Sequence, residues 1–248
     1  MTVASAAIPP LRPGEPPLAF LVDYDGTIAS TDVTGVLLHR FVADHVAELV
    51  AAWRSGVGSR EIMAREVALL PPAPGEIAEV AAAQPHDPTF RAFAEHARDA
   101  GIPVEVVSDG FGFFIEPALV RLGVPWVPVA TASTRFGAGG ATIDYPFGHP
   151  VCRECGTCKR ERVRAYQASG RAVVFIGDGE SDRYAAGYAD EVFAKRTLVT
   201  ICRDNGWAFR PWATFGEIEA WLGERLAAFR ADPSSLPGPA PRPLFCGP

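Results

Sequence analysis

Two carboxylates one residue apart, Asp23 and Asp25, follow the apolar run Phe20-Leu21-Val22 and precede Gly26-Thr27. The run reads as a buried strand, and the Gly-Thr pair turns the chain away from its end. While the chain stays extended, side chains repeat with period two, so both carboxylates face the same way. Like charges that close together call for a cation or a shared proton. Read alone, the stretch is equally a strand closed by an Asp-Gly turn. Two further stretches carry matching chemistry: Ser108-Asp109-Gly110 after the strand-like residues 103–107, and Gly177-Asp178-Gly179 after residues 172–176, with Ser181 and Asp182 close behind. Lys159 stands ahead of the last of these.

Together these residue types suit phosphoryl transfer. A phosphate monoester dianion repels nucleophiles and hydrolyses extremely slowly by itself, so neutralising charge is most of a catalyst's task. A Mg2+ ion shared by a few carboxylates and the phosphate does this. Asp23 and Asp178 are the natural ligands, and Asp182 is placed to join or support them. The Ser108 hydroxyl and the backbone N–H groups of Asp109, Gly110 and the Asp25-Gly26 turn suit phosphate oxygens. The Lys159 ammonium supplies a point charge to nucleophile and phosphate alike. Asp23 can then attack phosphorus, while Asp25 protonates the leaving alkoxide and afterwards activates water.

Elements of a particular kind must hold these groups. After the first strand, residues 32–54 carry apolar side chains at helical spacing; further helices are expected at 59–70, 75–83 and from Asp87, as N-cap with Pro88 at the first helical position, to Gly101. A strand at 103–107 and a helix at 111–122 follow. Residues 126–132 and 141–145, separated by a Gly-rich turn, read as a β-hairpin. Helix at 158–168, strand at 172–176, helix at 181–188, strand at 191–194 and helix at 214–229 complete the chain. Strands alternating with helices predict an α/β fold with a Rossmann-like parallel sheet, whose ligand site lies beyond the carboxyl ends of its strands. The expected organisation is a flexible Pro-rich arm (1–17), a core (18–30 and 101–230), an inserted helical segment (31–100) and a Pro-rich tail (231–248).

The ordered set Asp23-x-Asp25-Gly26-Thr27, Ser108, Lys159 and Gly177-Asp178-Gly179-x-Ser181-Asp182 resembles the four motifs of haloacid dehalogenase (HAD) superfamily phosphatases. The resemblance runs from about residue 18 to 225. The helical segment before Ser108 looks like the C1-type cap of the phosphoserine phosphatase-like branch. Within that branch, Arg65-Glu66-Val67-Ala68-Leu69-Leu70-Pro71, Cys155-Gly156-Thr157-Cys158-Lys159 and Asp190-Glu191-Val192-Phe193-Ala194-Lys195 are most similar to the methylthiopentenyl-phosphate phosphatase family. Ser181 departs from the Asn usual in phosphoserine phosphatases. The resemblance implies a Mg2+-dependent phosphomonoesterase acting through an aspartyl phosphate, with a methylthiopentenyl phosphate or a phosphoserine-like ester as substrate. It assigns catalysis to Asp23, Asp25 and Lys159, phosphate contacts to Thr27, Ser108, Asp109 and Gly110, and metal ligation to Asp23, Asp25, Asp178 and Asp182. On the helical segment, Arg60 and Arg65 can reach a phosphate or a substrate carboxylate and Glu61 an amine, or the three can form a solvated face. Phe111, Phe113 and Phe114 suit either the pocket floor or the core. A phosphotransferase of the same fold and a non-catalytic interaction module are the alternatives.

Bulk properties narrow the partners. The 248 residues carry a formal charge of −6 without a long basic run, which argues against nucleic acid. No apolar stretch approaches a membrane span, and the N-terminal residues do not read as a secretory signal, so a cytoplasmic protein is expected. The partner expected is a small-molecule phosphate ester; oligomeric state is not encoded legibly. Five cysteines are too few for a disulfide scaffold. Cys152, Cys155 and Cys158 form C-x2-C-x2-C, which suits a structural Zn2+ with His149 or Cys202 as fourth ligand or, equally, a reduced loop beside Lys159; Cys246 stands alone.

Overall fold

A computed structural model describes residues 7–138, 140–236 and 238–240. The first strand, β1 (Leu18–Val22), is buried throughout. A tight turn over Tyr24–Ile28 leads into four successive helices, α1 (Val33–Phe41), α2 (Ala43–Arg54), α3 (Ser59–Leu69) and α4 (Pro74–Ala82). The chain returns through α5 (Phe90–Asp99) to β2 (Val104–Phe111), α6 (Gly112–Arg121), β3 (Val129–Gly137) and β4 (Gly140–Asp144). It continues as α7 (Lys159–Ala168), β5 (Ala172–Gly177), α8 (Arg183–Ala186), β6 (Glu191–Ala194), α9 (Arg196–Asp204), β7 (Arg210–Pro211) and α10 (Phe215–Ala231).

The strands form one seven-stranded sheet in the order β4-β3-β2-β1-β5-β6-β7, parallel except for the β3–β4 pair. Strand order reverses at β1, since the chain adds β2 on one side and β5 on the other. Val22 is level with Val106 of β2 and with Ile176 of β5. The three motif-bearing strand ends are therefore neighbours, and the crevice beyond a reversal point is where such sheets bind ligands. Alternation along the central strands builds two cores. Leu18, Phe20 and Val22 of β1, with Val174 and Ile176 of β5, meet α5, α6 and α10 through Phe93, Phe114 and Phe215. Ala19, Leu21, Val173 and Phe175 point to the other face, against Val163 and Tyr166 of α7 and Leu198 and Cys202 of α9. Each fully buried large apolar side chain contributes about 1.5–3 kcal/mol.

Several sequence expectations need correction. The helix expected over 32–54 is two helices meeting at Val42, whose φ of −139° is not helical. Leu38, Val42 and Leu49 share a small apolar cluster. A straight helix would space its first and last members about 16 Å apart, so the bend is what lets them pack. Asp87 does not cap α5. Its Oδ1 accepts from Thr89 N at 2.8 Å and its Oδ2 from Phe215 N at 2.9 Å, tying the approach to α5 to the first turn of α10. The strand expected to end at 107 runs on to Phe111 across a register shift. The hairpin forms, but its first arm is Ser133–Gly137, because Val129, Ala130 and Ala132 are taken up in parallel pairing with β2. Helix α9 was not expected at all, although Leu198 and Cys202, four apart, form its buried side.

The stretch expected to be a flexible arm makes specific contacts. The carbonyls of Pro9 and Pro10 accept hydrogen bonds from the buried Arg171 guanidinium at 2.7 and 3.1 Å. Near the other end, Leu236 packs into the core and Ala240 N donates to Asp190 Oδ1. Residues 1–6 and 241–248, with Cys246, lie outside the described residues. No described helix is long and apolar enough to cross a membrane.

Candidate active site

Lys159 is the first residue of α7, which starts where Cys158 N donates to Phe147 O. Its side chain is only 2% exposed, and its Nζ donates to Asp23 Oδ1 and to Asp182 Oδ1, both at 2.7 Å, and to Ser181 Oγ at 3.1 Å. Burial disfavours the ammonium, but the carboxylates of Asp182, Asp23 and Asp109 outweigh it and hold the lysine pKa above its usual value. Asp182 serves two partners, because its Oδ2 accepts from Asp178 N and Gly179 N and folds the loop after β5 around itself. A Cβ on Gly177 would collide with that carboxylate oxygen.

Asp178, Asp182 and Asp23 each offer a carboxylate oxygen lying within 4.8 Å of the other two. Burial, then Asp182, pushes the Asp23 carboxyl well upward, with Lys159 pulling against them. Asp178 is likewise raised by burial and Asp182, while Arg196 lowers it. The three carboxylates outnumber the two cations bonded to them, Lys159 and Arg196, even before a phosphate dianion arrives. Such an all-oxygen donor set with surplus negative charge fits Mg2+. Gly26 makes the approach of Asp178 possible: its φ is +70°, and a Cβ there would collide with Asp178 Oδ2.

Asp25 is turned elsewhere. Its Oδ1 accepts from Val33 N at 2.9 Å and its Oδ2 from the Thr34 hydroxyl at 2.9 Å, so the start of α1 orients it. Burial and the nearby Asp32 push its pKa up to about 7. Ser108 Oγ accepts from Gly110 N at 2.9 Å and lines the cavity, and its hydroxyl proton remains available to donate. Asp109 Oδ1 accepts from Thr157 N at 2.7 Å and so ties β2 to the loop before α7.

Asp23, Asp25, Ser108, Asp109, Gly110, Asp178 and Ser181 line one side of a cavity of about 500 Å³ whose other side is helical; Lys159 and Asp182 are bonded to this lining and are not part of it. Leu38, Val46, Leu49, Val50 and Trp53 of α1 and α2, with Ile62 and Met63 of α3, make that side largely apolar, and Glu66 and Asp32 interrupt it. The arrangement is a charged, metal-competent floor under an apolar roof.

The haloacid dehalogenase-like hydrolase pattern matches residues 20–187, most of the chain and all of the floor. The chain belongs to that family. Among curated HAD-like relatives, it is 26% identical over 215 residues to a 2-hydroxy-3-keto-5-methylthiopentenyl-1-phosphate phosphatase of Bacillus cereus, covering 81% of this chain and 93% of that one. A protein of the same description from Bacillus thuringiensis is 26% identical over 221 residues, covering 82% and 95%. A phosphoserine phosphatase solved as a phospho-aspartyl intermediate analogue superposes with a TM-score of 0.63 at 17% identity, over 84% of this chain and 99% of that one. A phosphoserine phosphohydrolase-like protein from Francisella tularensis gives 0.62 at 16%, over 82% and 99%. At those identities the structural likeness is one of fold.

Within this HAD-like hydrolase, the sequence-based site residues divide. Asp23, Asp178, Asp182, Lys159, Ser108, Asp109 and Gly110 gather at one edge of the sheet. The Asp25 carboxylate, expected among the metal ligands, is bonded to α1 and is not part of the acidic trio. Thr27 faces Asp178, at 3.4 Å from its Oδ1, and does not line the cavity. Arg60 and Arg65 do not line it either. Arg60 donates to Cys155 O at 2.8 Å and His149 O at 2.9 Å and lies over the Tyr145 ring, so it pins the cysteine loop to α3. Arg65 pairs with Glu61 one turn away on an exposed face. Phe111 and Phe114 are core residues.

Of the two readings of the cysteine loop, the zinc site is not supported. Among the described residues, the acidic trio is the one group of three or more His, Cys, Asp or Glu side chains whose ligand atoms converge. His149 Nδ1 accepts from Val151 N and Cys152 N, and Cys202 is sealed in the core on α9. Sequence reasoning missed Arg196, which donates to Asp178 Oδ2 at 3.1 Å and Ser30 O at 2.7 Å from a backbone with φ +49°. It also missed Glu66, although the signal was present: Glu66 falls on the inward stripe Ile62, Met63, Glu66, Val67 of α3.

Proposed function

We propose that this HAD-like hydrolase is a Mg2+-dependent phosphomonoesterase that passes phosphate through Asp23. The observation that carries the reading is the Lys159 bridge between Asp23 and Asp182 beside Asp178, with a second carboxylate, Asp25, two residues from the first. Asp23, Asp178 and Asp182 would hold Mg2+, which supplies charge neutralisation to the phosphate. Lys159 keeps one oxygen of Asp23 fixed, so the other is the nucleophile toward phosphorus. The Ser108 hydroxyl holds a phosphate oxygen, and the Lys159 ammonium, whose three N–H groups go to Asp23, Asp182 and Ser181, contributes its positive charge. With a pKa near 7, Asp25 is protonated often enough to give a proton to the leaving alkoxide, and as a carboxylate it then takes one from the attacking water. Thr27 and Arg196 act through Asp178 by fixing its carboxylate.

Helices α1 to α4 serve as the cap. Of these, α1 to α3 supply the apolar side of the cavity, and closing them over the strand ends excludes bulk water from the acyl phosphate. An apolar roof of this size fits a small ester with a short apolar tail. The curated relatives are described as acting on 2-hydroxy-3-keto-5-methylthiopentenyl-1-phosphate, and this ester or a close analogue is the substrate we assign. The test is phosphate release by purified protein from a set of small phosphate esters, with Mg2+ and with excess chelator. Mg2+-dependent release, faster from the thioether-tailed ester than from phosphoserine, is expected. Release that persists in chelator would remove the metal from the account, and no release from any ester would remove the activity.

A further inference from the structure

Glu66 lies in the C-terminal half of α3, on the face that also buries Ile62, Met63 and Val67. It is 8% exposed and lines the cavity. Among the described residues no hydrogen bond or ion pair reaches its carboxylate; its charged neighbours are Asp32 and Asp25, which repel it. Its oxygens face the cavity and are not among the fully buried side-chain atoms without a partner, but a carboxylate this far from bulk water with no protein donor still carries a desolvation cost. Structural roles open to Glu66 do not account for that cost. It neither caps a helix nor bridges to a neighbouring element, and no common cation gathers its oxygens with those of Asp25 and Asp32, since the converging ligand group is Asp23, Asp178 and Asp182.

The surroundings define what would satisfy it. Of the ionisable side chains that α1, α2 and α3 bring to the cavity among the described residues, Glu66 alone is buried. Asp32 caps Gly35 N and the His39 ring is bonded to Gly35 O, so both are engaged on the exposed side of α1. Apart from the Thr34 hydroxyl, which is bonded to Asp25, and from Ser59 and the exposed Arg54, the rest of the roof is apolar. A ligand held by its phosphate on the strand side must therefore extend its organic part across the cavity toward a roof with a single buried acceptor.

We propose that Glu66 is a specificity-determining residue that accepts a hydrogen bond from a donor, a hydroxyl or an ammonium, on the organic part of the phosphate ester. The assignment rests on the phosphomonoesterase reading of the same cavity. It selects esters with a donor over otherwise matched esters without one, because only the former pair with a cavity-facing carboxylate that the protein itself leaves without a donor.

Three matched esters test this: propyl phosphate, 3-hydroxypropyl phosphate and 3-aminopropyl phosphate, assayed with Mg2+ against wild type, Glu66→Gln and Glu66→Leu, with p-nitrophenyl phosphate as a generic ester. Wild type should favour at least one donor-bearing ester over propyl phosphate by about tenfold or more in kcat/KM, the equivalent of one hydrogen bond. Glu66→Leu should bring that ratio to about one, mainly through a higher KM for the donor-bearing ester. Glu66→Gln, which retains an acceptor without charge, should keep a preference for the hydroxyl and lose one for the ammonium; a thermal melt of each variant checks folding. Hydrolysis of every ester by wild type without preference, or an unchanged ratio in Glu66→Leu, overturns the assignment while leaving the phosphatase reading intact. No hydrolysis even of p-nitrophenyl phosphate overturns both.

Discussion

On the strand side of the cavity, Lys159 holds Asp23 and Asp182 at 2.7 Å each, and Asp178 is bracketed by Thr27 and Arg196. On the helical side, the Glu66 carboxylate is repelled by Asp32 and Asp25 and, among the described residues, accepts no hydrogen bond from the protein. The first arrangement is preorganised: its charges are positioned by strand ends, by the first residue of α7 and by backbone N–H groups, so little has to reorient during reaction. The second leaves its polar capacity to the ligand. The chemistry common to the family is held by the sheet, and the choice of ester is left to helices that can differ without disturbing it.

Removing the strand-side cation should produce the largest effect. Lys159→Met leaves Asp23 and Asp182 buried and facing each other without their shared donor, and kcat should fall by about 10²–10³-fold or more. The variant's fold is to be verified by circular dichroism, since unpaired buried charge also costs stability. Activity within a few-fold of wild type would mean that the strand side is less organised by Lys159 than its distances imply.

On the helical side the effect should be smaller and of opposite sign in stability. Burial, then Asp32 and Asp25, pushes the Glu66 carboxyl from 4.5 up to about 7. The folded state therefore binds a proton between those values that the unfolded chain has released, and stability falls as pH rises through that window. Glu66→Gln removes this penalty. At pH 8 the variant should be more stable than wild type by about 2–3 kcal/mol, with the difference vanishing below about pH 4.5. A difference that does not change with pH would show that Glu66 has a partner in the folded protein and that the two sides of the cavity are alike.

The same contrast explains what could be read from the sequence. Asp23, Ser108, Lys159 and Asp178 announce themselves because each follows an apolar strand or opens a helix, and the strand order then brings them together. Charge alone misled on Arg60 and Arg65: their spacing on a helix says nothing about direction, and one is turned to the cysteine loop and the other to solvent. Glu66 carried a usable signal, a carboxylate on an apolar stripe. Arg196 carried none, since its reach to Asp178 depends on a left-handed backbone and on tertiary placement. The break at Val42 was hidden for a related reason, because a helical repeat continues on both sides of it and only the packing of Leu38 against Leu49 requires the bend.

The central claim is that Asp23 carries the phosphate. Acid quenching during turnover, followed by borohydride reduction, converts an aspartyl phosphate to homoserine, which peptide mass spectrometry can locate. The account predicts homoserine at position 23, formed only when ester and Mg2+ are both present and absent from Asp23→Asn. Steady phosphate release with no homoserine at position 23, or with homoserine at another carboxylate, would contradict it.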